Sequence, residues 1–231
     1  MIKKIDSKNM GSSDHGWLRS KFHFSFADYY NPNNINFGVL RVINDDLIEP
    51  GTGFETHPHK DMEIISYVVN GELTHGDNMG NKNTISRGQV QYMSAGSGVY
   101  HSEHNMGKDI LRLLQIWIFP NKRDLDPTYG DYRFAWDDRQ DKWLLMVSSI
   151  SGEAPIKINQ DVNIYSLALD QGKEIHFSVK DDRQAYLVQI EGSSIINHQN
   201  LSDQDALEIR SEDLQIKATT PSHMLLIEMH R

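Results

Sequence analysis

The chain has no cysteine among its 231 residues. Disulfides, thiolate ligands and cysteine nucleophiles are thereby excluded, and any metal must be held by histidine, carboxylate and water. Long apolar runs are missing too. No window approaches the ~20 apolar residues of a spanning helix, and Met1-Ile2-Lys3-Lys4-Ile5-Asp6-Ser7 carries the lysines of a signal peptide with no apolar stretch after them. A cytoplasmic protein with no membrane partner is expected. Positive charge is short: 23 Lys and Arg stand against 32 Asp and Glu, a net charge of -9. Basic residues are scattered singly, so no direct nucleic-acid contact is expected. Nucleophile-elbow, P-loop and dinucleotide fingerprints are all absent, and no long amphipathic helix pattern interrupts the first half.

What is present is a series of short β-rich segments at close spacing. They run over 63–69, 72–75, 89–93 and 111–119, and turns fall at Asn70-Gly71, Met79-Gly80-Asn81, Arg87-Gly88 and Ala95-Gly96-Ser97-Gly98. Earlier, 38–44 reads as a strand, and the aromatic alternation Phe22-His23-Phe24-Ser25-Phe26 reads as the end of another. This spacing predicts an all-β antiparallel sandwich or barrel. Residues 121–142 are polar with interspersed aromatics and read as a linker; strands resume at Trp143.

The second half repeats the first. Ser66-Tyr67-Val68-Val69-Asn70-Gly71 is matched by Ala185-Tyr186-Leu187-Val188-Gln189-Ile190-Glu191-Gly192, Ile85-Ser86-Arg87 by Leu201-Ser202-Asp203, and 111–119 by 224–229. Gly53-Phe54-Glu55-Thr56-His57 is matched by Gly172-Lys173-Glu174-Ile175-His176. Ser178 then stands where His59 should be, and Lys217 falls near the position of His101. The second half is expected to keep the scaffold without the ligands.

Two histidine stretches carry the chemistry: Thr56-His57-Pro58-His59 and Tyr100-His101-Ser102-Glu103-His104. Residues i and i+2 of a strand share a face, so His57 pairs with His59 and His101 with Glu103. Facing each other, the pairs supply three imidazoles and a carboxylate. Such a set suits one divalent transition metal, Fe(II) and also Mn, Co, Ni or Cu(II), with positions left for exogenous ligands. Glu63 is a rival carboxylate, though on a continuous strand it would lie ~13 Å from His59. His75 and Gln115 are candidates for the pocket wall. His104 alternates outward, and His15, His23, His176, His198, His223 and His230 have no partner at ligand spacing.

The segments Gly51-Thr52-Gly53-Phe54-Glu55-Thr56-His57-Pro58-His59-Lys60-Asp61-Met62-Glu63 and Ser94-Ala95-Gly96-Ser97-Gly98-Val99-Tyr100-His101-Ser102-Glu103, with Gln115-Ile116-Trp117-Ile118, resemble the paired motifs of the pirin family of cupins, close to bacterial members described as quercetin 2,3-dioxygenase-like. The resemblance implies a bicupin of two antiparallel β-barrels (double-stranded β-helix, or jelly-roll, domains): a metal-binding domain over 1–120, a linker over 121–142 and a metal-free domain over 143–231. It also implies a mononuclear metal, with Fe(II) the leading choice among Fe, Cu, Ni, Co, Mn and Zn. His57, His59, His101 and Glu103 would be the ligands, and Glu103 also the catalytic base. The implied activity is a non-haem dioxygenase cleaving a flavonol such as quercetin, or a related phenolic or enolic compound, with O2. The other activity the family implies is metal-dependent regulation of a protein partner without turnover.

Overall fold

Antiparallel strands make up nearly all of the regular structure in the computed structural model, which describes residues 1–231. The chain forms two compact units: Gly11–Phe134 with Ile158–Gln160, and Met1–Met10 with Ala135–Lys157 and Asp161–Arg231. These boundaries differ from breaks at 120 and 142. The strand Ile2–Ile5 pairs with Ala206–Arg210, and the stretch read as a linker contains the strand Thr128–Tyr132, paired with Val90–Ser94. Each covers a sheet edge whose backbone groups would otherwise lack partners. Neither role is visible in local composition.

The first unit has a seven-stranded sheet in the order Thr128–Tyr132, Val90–Ser94, Glu63–Asn70, Leu111–Ile118, Leu40–Ile48, Leu18–Phe22, Gly11–Asp14. A four-stranded sheet follows the order Gly53–His59, Val99–His104, Glu72–Asp77, Lys82–Ser86. Leu73 and Ile85 of the small sheet pack in one buried cluster with Leu18, Ile48, Val68, Leu111 and Leu113 of the large one, so the two sheets face each other across this core. The expected strand over 22–26 stops at Phe22. Beyond it the Ser25 hydroxyl contacts the carbonyls of Asn31 and Asn34 and the Arg41 guanidinium donates to the Ser25 carbonyl, holding the chain in a loop.

Register arranges the large sheet's inner face in layers. Val42, Trp117, Ile64, Met93 and Tyr129 lie side by side across five strands. Two residues further along, the neighbouring row is Asn44, Gln115, Ser66 and Gln91. A polar rung therefore lies next to an apolar one, because alternation along each strand is combined with matched register between strands.

The second unit has the same topology. Its large sheet runs Ile2–Ile5, Ala206–Arg210, Arg183–Glu191, Ser222–His230, Val162–Leu169, Leu144–Ser149, Ile156–Ile158, and its small sheet Glu174–Phe177, Leu214–Ala218, Ser194–Ile196, Gln199–Leu201. Arg183–Glu191 and Ser222–His230 occupy the places of Glu63–Asn70 and Leu111–Ile118, as the internal repeat predicts. In this comparison Ile2–Ile5 fills the edge position that Thr128–Tyr132 fills in the first unit.

Candidate metal centre

The two histidine-bearing segments are adjacent strands of the small sheet. His101 lies directly opposite His57, Val99 opposite His59, and Glu103 opposite Phe54. One residue on one strand, Ser102, thus faces two on the other, Glu55 and Thr56. This bulge at Glu55-Thr56 lets Phe54 and His57 occupy one face despite their odd spacing, with His59 following at i+2. Gly53 allows the close approach: a Cβ there would stand 2.3 Å from the Glu103 carbonyl oxygen and 2.5 Å from the His104 Cα. Gly53→Ala is expected to push these strands apart and cost at least tenfold in metal affinity. Unchanged affinity in a metal titration would show that the strand pair tolerates the shift.

The ligand atoms of His57, His59 and His101 all lie within 4.8 Å of one another. The Nδ1 of His57 is 2.7 Å from the Glu55 carbonyl, which can only accept, so its proton is on Nδ1 and its lone pair on Nε2. That Nε2 is 3.1 Å from Nε2 of His101. Two nitrogens bound at about 2.1 Å to one ion, at roughly right to tetrahedral angles, stand about 3.0–3.4 Å apart. The donor set therefore suits a single divalent metal, and the His57–His101 pair already stands at ligand spacing. Burial, followed by the neighbouring imidazoles, lowers His59 to about 4 and His101 to about 3, keeping their lone pairs available at neutral pH. Trp117 meets the His59 ring edge to face at 4.9 Å, with Phe26 against the indole at 5.4 Å.

These shifts give acid stability a sign in the metal-free protein. His23, lowered to about 4 chiefly by burial, joins His59 and His101 as a group protonated in an unfolded chain from about pH 6.5 downward but not in the folded one. Three such groups make stability fall as pH drops from 6.5 toward 4. Asp46, raised to about 7 by burial and by the Asp45 and Glu103 charges against the Ser20 hydrogen bond, works in the opposite direction, as does buried Glu63. Three groups outweigh two, so the metal-free protein is expected to melt at a lower temperature at pH 5 than at pH 7. A higher melting temperature at pH 5 in a calorimetric scan would refute this.

Glu103 projects from the same strand face as His101 and is buried. The polar rung holds it: Gln91 Nε2 donates to Oε1 at 2.5 Å, Gln115 Nε2 donates to Oε2 at 2.6 Å, and the Ser66 hydroxyl lies 2.8 Å from Oε1. Oε1 is thus saturated, while Oε2 has one donor and a lone pair to spare. The carboxylate adjoins the three histidines without being part of their 4.8 Å cluster. Gln115, the polar residue in an apolar run, is a support for this carboxylate. Glu63 is directed elsewhere. Its neighbour Ile64 faces the site, and Glu63 itself accepts from Ser94 at 2.9 Å and from Asn159. His75 is buried, lies opposite Glu103 and has its ring 5.4 Å from that of His101. His104 faces outward to Glu55 at 3.2 Å.

Sequence reasoning did not single out Ser66, Gln91, Asp77 or Tyr129 for the site. Ser66 and Gln91, like Gln115, are polar residues inside apolar strands, which was the available signal; Tyr129 arrives on an edge strand and gave none. In the second unit His176 pairs with Gln215, and Lys217 pairs with Glu174. The register counterpart of His101 is therefore Gln215, two residues from Lys217. With no register shift in that pair, Ile175 and Phe177 pack against the core containing Leu214 and Ile216, while His176, Gln215 and Lys217 are exposed.

Paired large and small antiparallel sheets in two topologically equivalent units, one with a three-histidine cluster, define a two-domain metal-site protein of the cupin type. Residues 4–118 match the family described as Pirin, and residues 145–229 match the family described as Quercetinase C-terminal cupin domain. The chain belongs to the pirin family. It is 41% identical over 230 residues to a Pirin-like protein of Caulobacter vibrioides, covering 99% of both chains. It is 41% identical over 231 residues to the Quercetin 2,3-dioxygenase of Escherichia coli K12, again covering 99% of both. A crystal structure of the bacterial pirin YhhW from Escherichia coli in complex with nickel(II) matches with a TM-score of 0.93 at 39% identity, over 100% of this chain and 99% of that one.

Proposed function

We propose that this chain is a metal-dependent dioxygenase that opens a flavonol such as quercetin with O2, and that its first unit carries the metal while its second is a metal-free scaffold. The observation that supports this reading is the convergence of His57, His59 and His101 beside a carboxylate held by three side-chain donors. Relatives that bear the name quercetin 2,3-dioxygenase support this choice of substrate. Fe(II) is the first metal to test, with Ni, Cu, Co, Mn and Zn as comparisons.

A divalent ion bound by the three imidazoles would supply Lewis acidity and a template for a substrate oxygen. Glu103 has the complementary task. Its open Oε2 lone pair accepts the proton of the substrate hydroxyl, while Gln91, Gln115 and Ser66 keep the carboxylate from swinging away. Trp117 against His59, with Phe26 behind its indole, would offer an aromatic substrate ring a wall to pack on.

The test is O2 uptake together with loss of flavonol absorbance, using protein reconstituted with each metal in turn. Uptake that depends on both metal and flavonol is expected. No uptake with any of them would sink the enzyme reading, and metal-dependent capture of a protein partner would then assign the regulatory role.

A further inference from the structure

His57 and His59 share the strand Gly53–His59, the outermost of the small sheet, while His101 lies on its inner neighbour Val99–His104, which is paired on both edges. Two of the three imidazoles therefore move together. One movement of the outer strand would break two bonds to a bound ion and leave it with a single histidine. Outermost strands open more readily than inner ones, since ladder hydrogen bonds hold them on one side only. Pro58, exposed between the two histidines, has no N–H to give to a partner strand.

The two ends of this strand are held differently. At its start the Asn105 N–H donates to the Thr52 carbonyl at 2.8 Å and the Gly51 N–H to the Asn105 carbonyl at 2.9 Å. Asn105 is fully buried, its side-chain amide fixed to the carbonyls of Ile48 and Asp109. At the histidine end the chain turns at once into Lys60-Asp61, and Asp61 has a φ of +51°, a left-handed backbone that few residues other than glycine adopt. Its N–H donates to the Gly96 carbonyl at 2.9 Å and the Ala95 N–H to the Met62 carbonyl at 2.8 Å, so the loop leaving His59 is tied to the loop leading into Val99 and His101. A third segment lies across both. The Asp124 N–H donates to Asp61 Oδ1 at 2.7 Å, the Ser97 N–H donates to the Leu125 carbonyl at 2.8 Å, and Lys60 pairs with Asp124 at 2.9 Å. A Cβ on Gly96 would stand 2.0 Å from the Leu125 carbonyl oxygen, so close is this segment to the loop beneath it. Lys60 and Asp124 are exposed, so this end is clasped at the surface where the other is anchored in the interior.

We propose that the ion is loaded and released by detachment of the outer strand from its histidine end, and that the clasp of Asp61 with Asp124 and Leu125 sets the rate at which this happens. Asp61 is then a positioning residue, two residues beyond His59 and holding the strand that bears it. The buried anchor at Asn105 makes the other end the hinge. The proposal rests on the three-histidine reading of the metal centre and is independent of which divalent ion is bound and of whether O2 is consumed.

Asp61→Gly is the test, because glycine keeps the left-handed backbone and removes the carboxylate that receives the Asp124 N–H. Two rates are measured on the full chain by stopped flow: nickel(II) uptake by metal-free protein, and nickel(II) release from loaded protein into excess chelator. Both pass through the same open strand, so both should rise about tenfold, as for one lost hydrogen bond to a carboxylate, with the dissociation constant unchanged. Hydrogen exchange of the metal-free chain should quicken by the same factor at the amides of 55–57 and 59, and not at 51–53. Asp61→Asn keeps an acceptor oxygen and should behave as the wild type. Asp124→Gly adds the same backbone freedom at a second left-handed position, φ +54°, but removes only an exposed ion pair, so it should change either rate by less than about threefold. Faster release without faster uptake would make Asp61 a support of ligand geometry and overturn the proposal, as would unchanged rates in Asp61→Gly or equal acceleration by Asp124→Gly. A wild type that takes up no nickel(II) would retire the metal-centre reading and this proposal with it, whereas unchanged rates in protein that does bind nickel(II) strike this proposal alone.

Discussion

Protein carrying His57→Ala and His101→Ala together is expected to hold no metal, whereas the wild type holds one equivalent per chain. Structural four-ligand zinc sites bind with roughly 10–16 kcal/mol, or about 3 kcal/mol per ligand, so losing two imidazoles should weaken binding on the order of 10⁴-fold. His59 alone would remain, with its ring 4.8 Å and 4.9 Å from the two positions that lost theirs. The second unit offers no rescue, since His176 and its register partner Gln215 lie on the exposed face of their sheet. Elemental analysis after gel filtration is the measurement. Two equivalents in the wild type, or retained metal in the double variant, would show that the ion is bound elsewhere.

Glu103→Gln should have the next largest effect, a loss of flavonol turnover by roughly the 10²–10⁴-fold typical of a missing general base, with metal content preserved. Shape is conserved, but the hydrogen bonding around residue 103 must adapt. The new amide NH2 belongs at the Oε2 position, because Oε1 takes both the Gln91 amide and the Ser66 hydroxyl. Gln115 must then rotate its amide to present oxygen in place of nitrogen. The lone pair that received the substrate proton becomes an N–H, and the step has no acceptor. Single-turnover kinetics on metal-matched protein separates the outcomes. Loss of metal would make Glu103 chiefly a ligand, and full turnover with full metal would place the acceptor elsewhere.

Much of the site was legible because its donors obey a local rule. Residues i and i+2 of a strand share a face, so His57 with His59 and His101 with Glu103 could be paired without knowing where either strand lay. The same rule set Glu63 aside only weakly, by distance along the chain. The structure separates it more firmly, since Ile64 occupies the site-facing side and Glu63 faces Ser94. Alternation failed at Phe22–Phe26, where side-chain bonds to loop carbonyls outcompeted the extended conformation. It also failed at 121–142, where a polar stretch became an edge strand placing Tyr129 on His75.

By itself the sequence determined the all-β class, the repeat, the exclusion of thiolate ligands and the identity of the converging histidines, because these depend on residue type and on a period of two within one strand. Tertiary structure decided which strand meets which, and in what register. The bulge at Glu55-Thr56 puts Phe54 and His57 on one face, and unbroken pairing leaves His176 exposed in the second unit. Asn44, Gln115, Ser66 and Gln91 form one polar rung although they come from four separate strands. Such features come from hydrogen bonds between strands distant in the chain, and a shift of one residue in register would turn every one of those side chains to the other face.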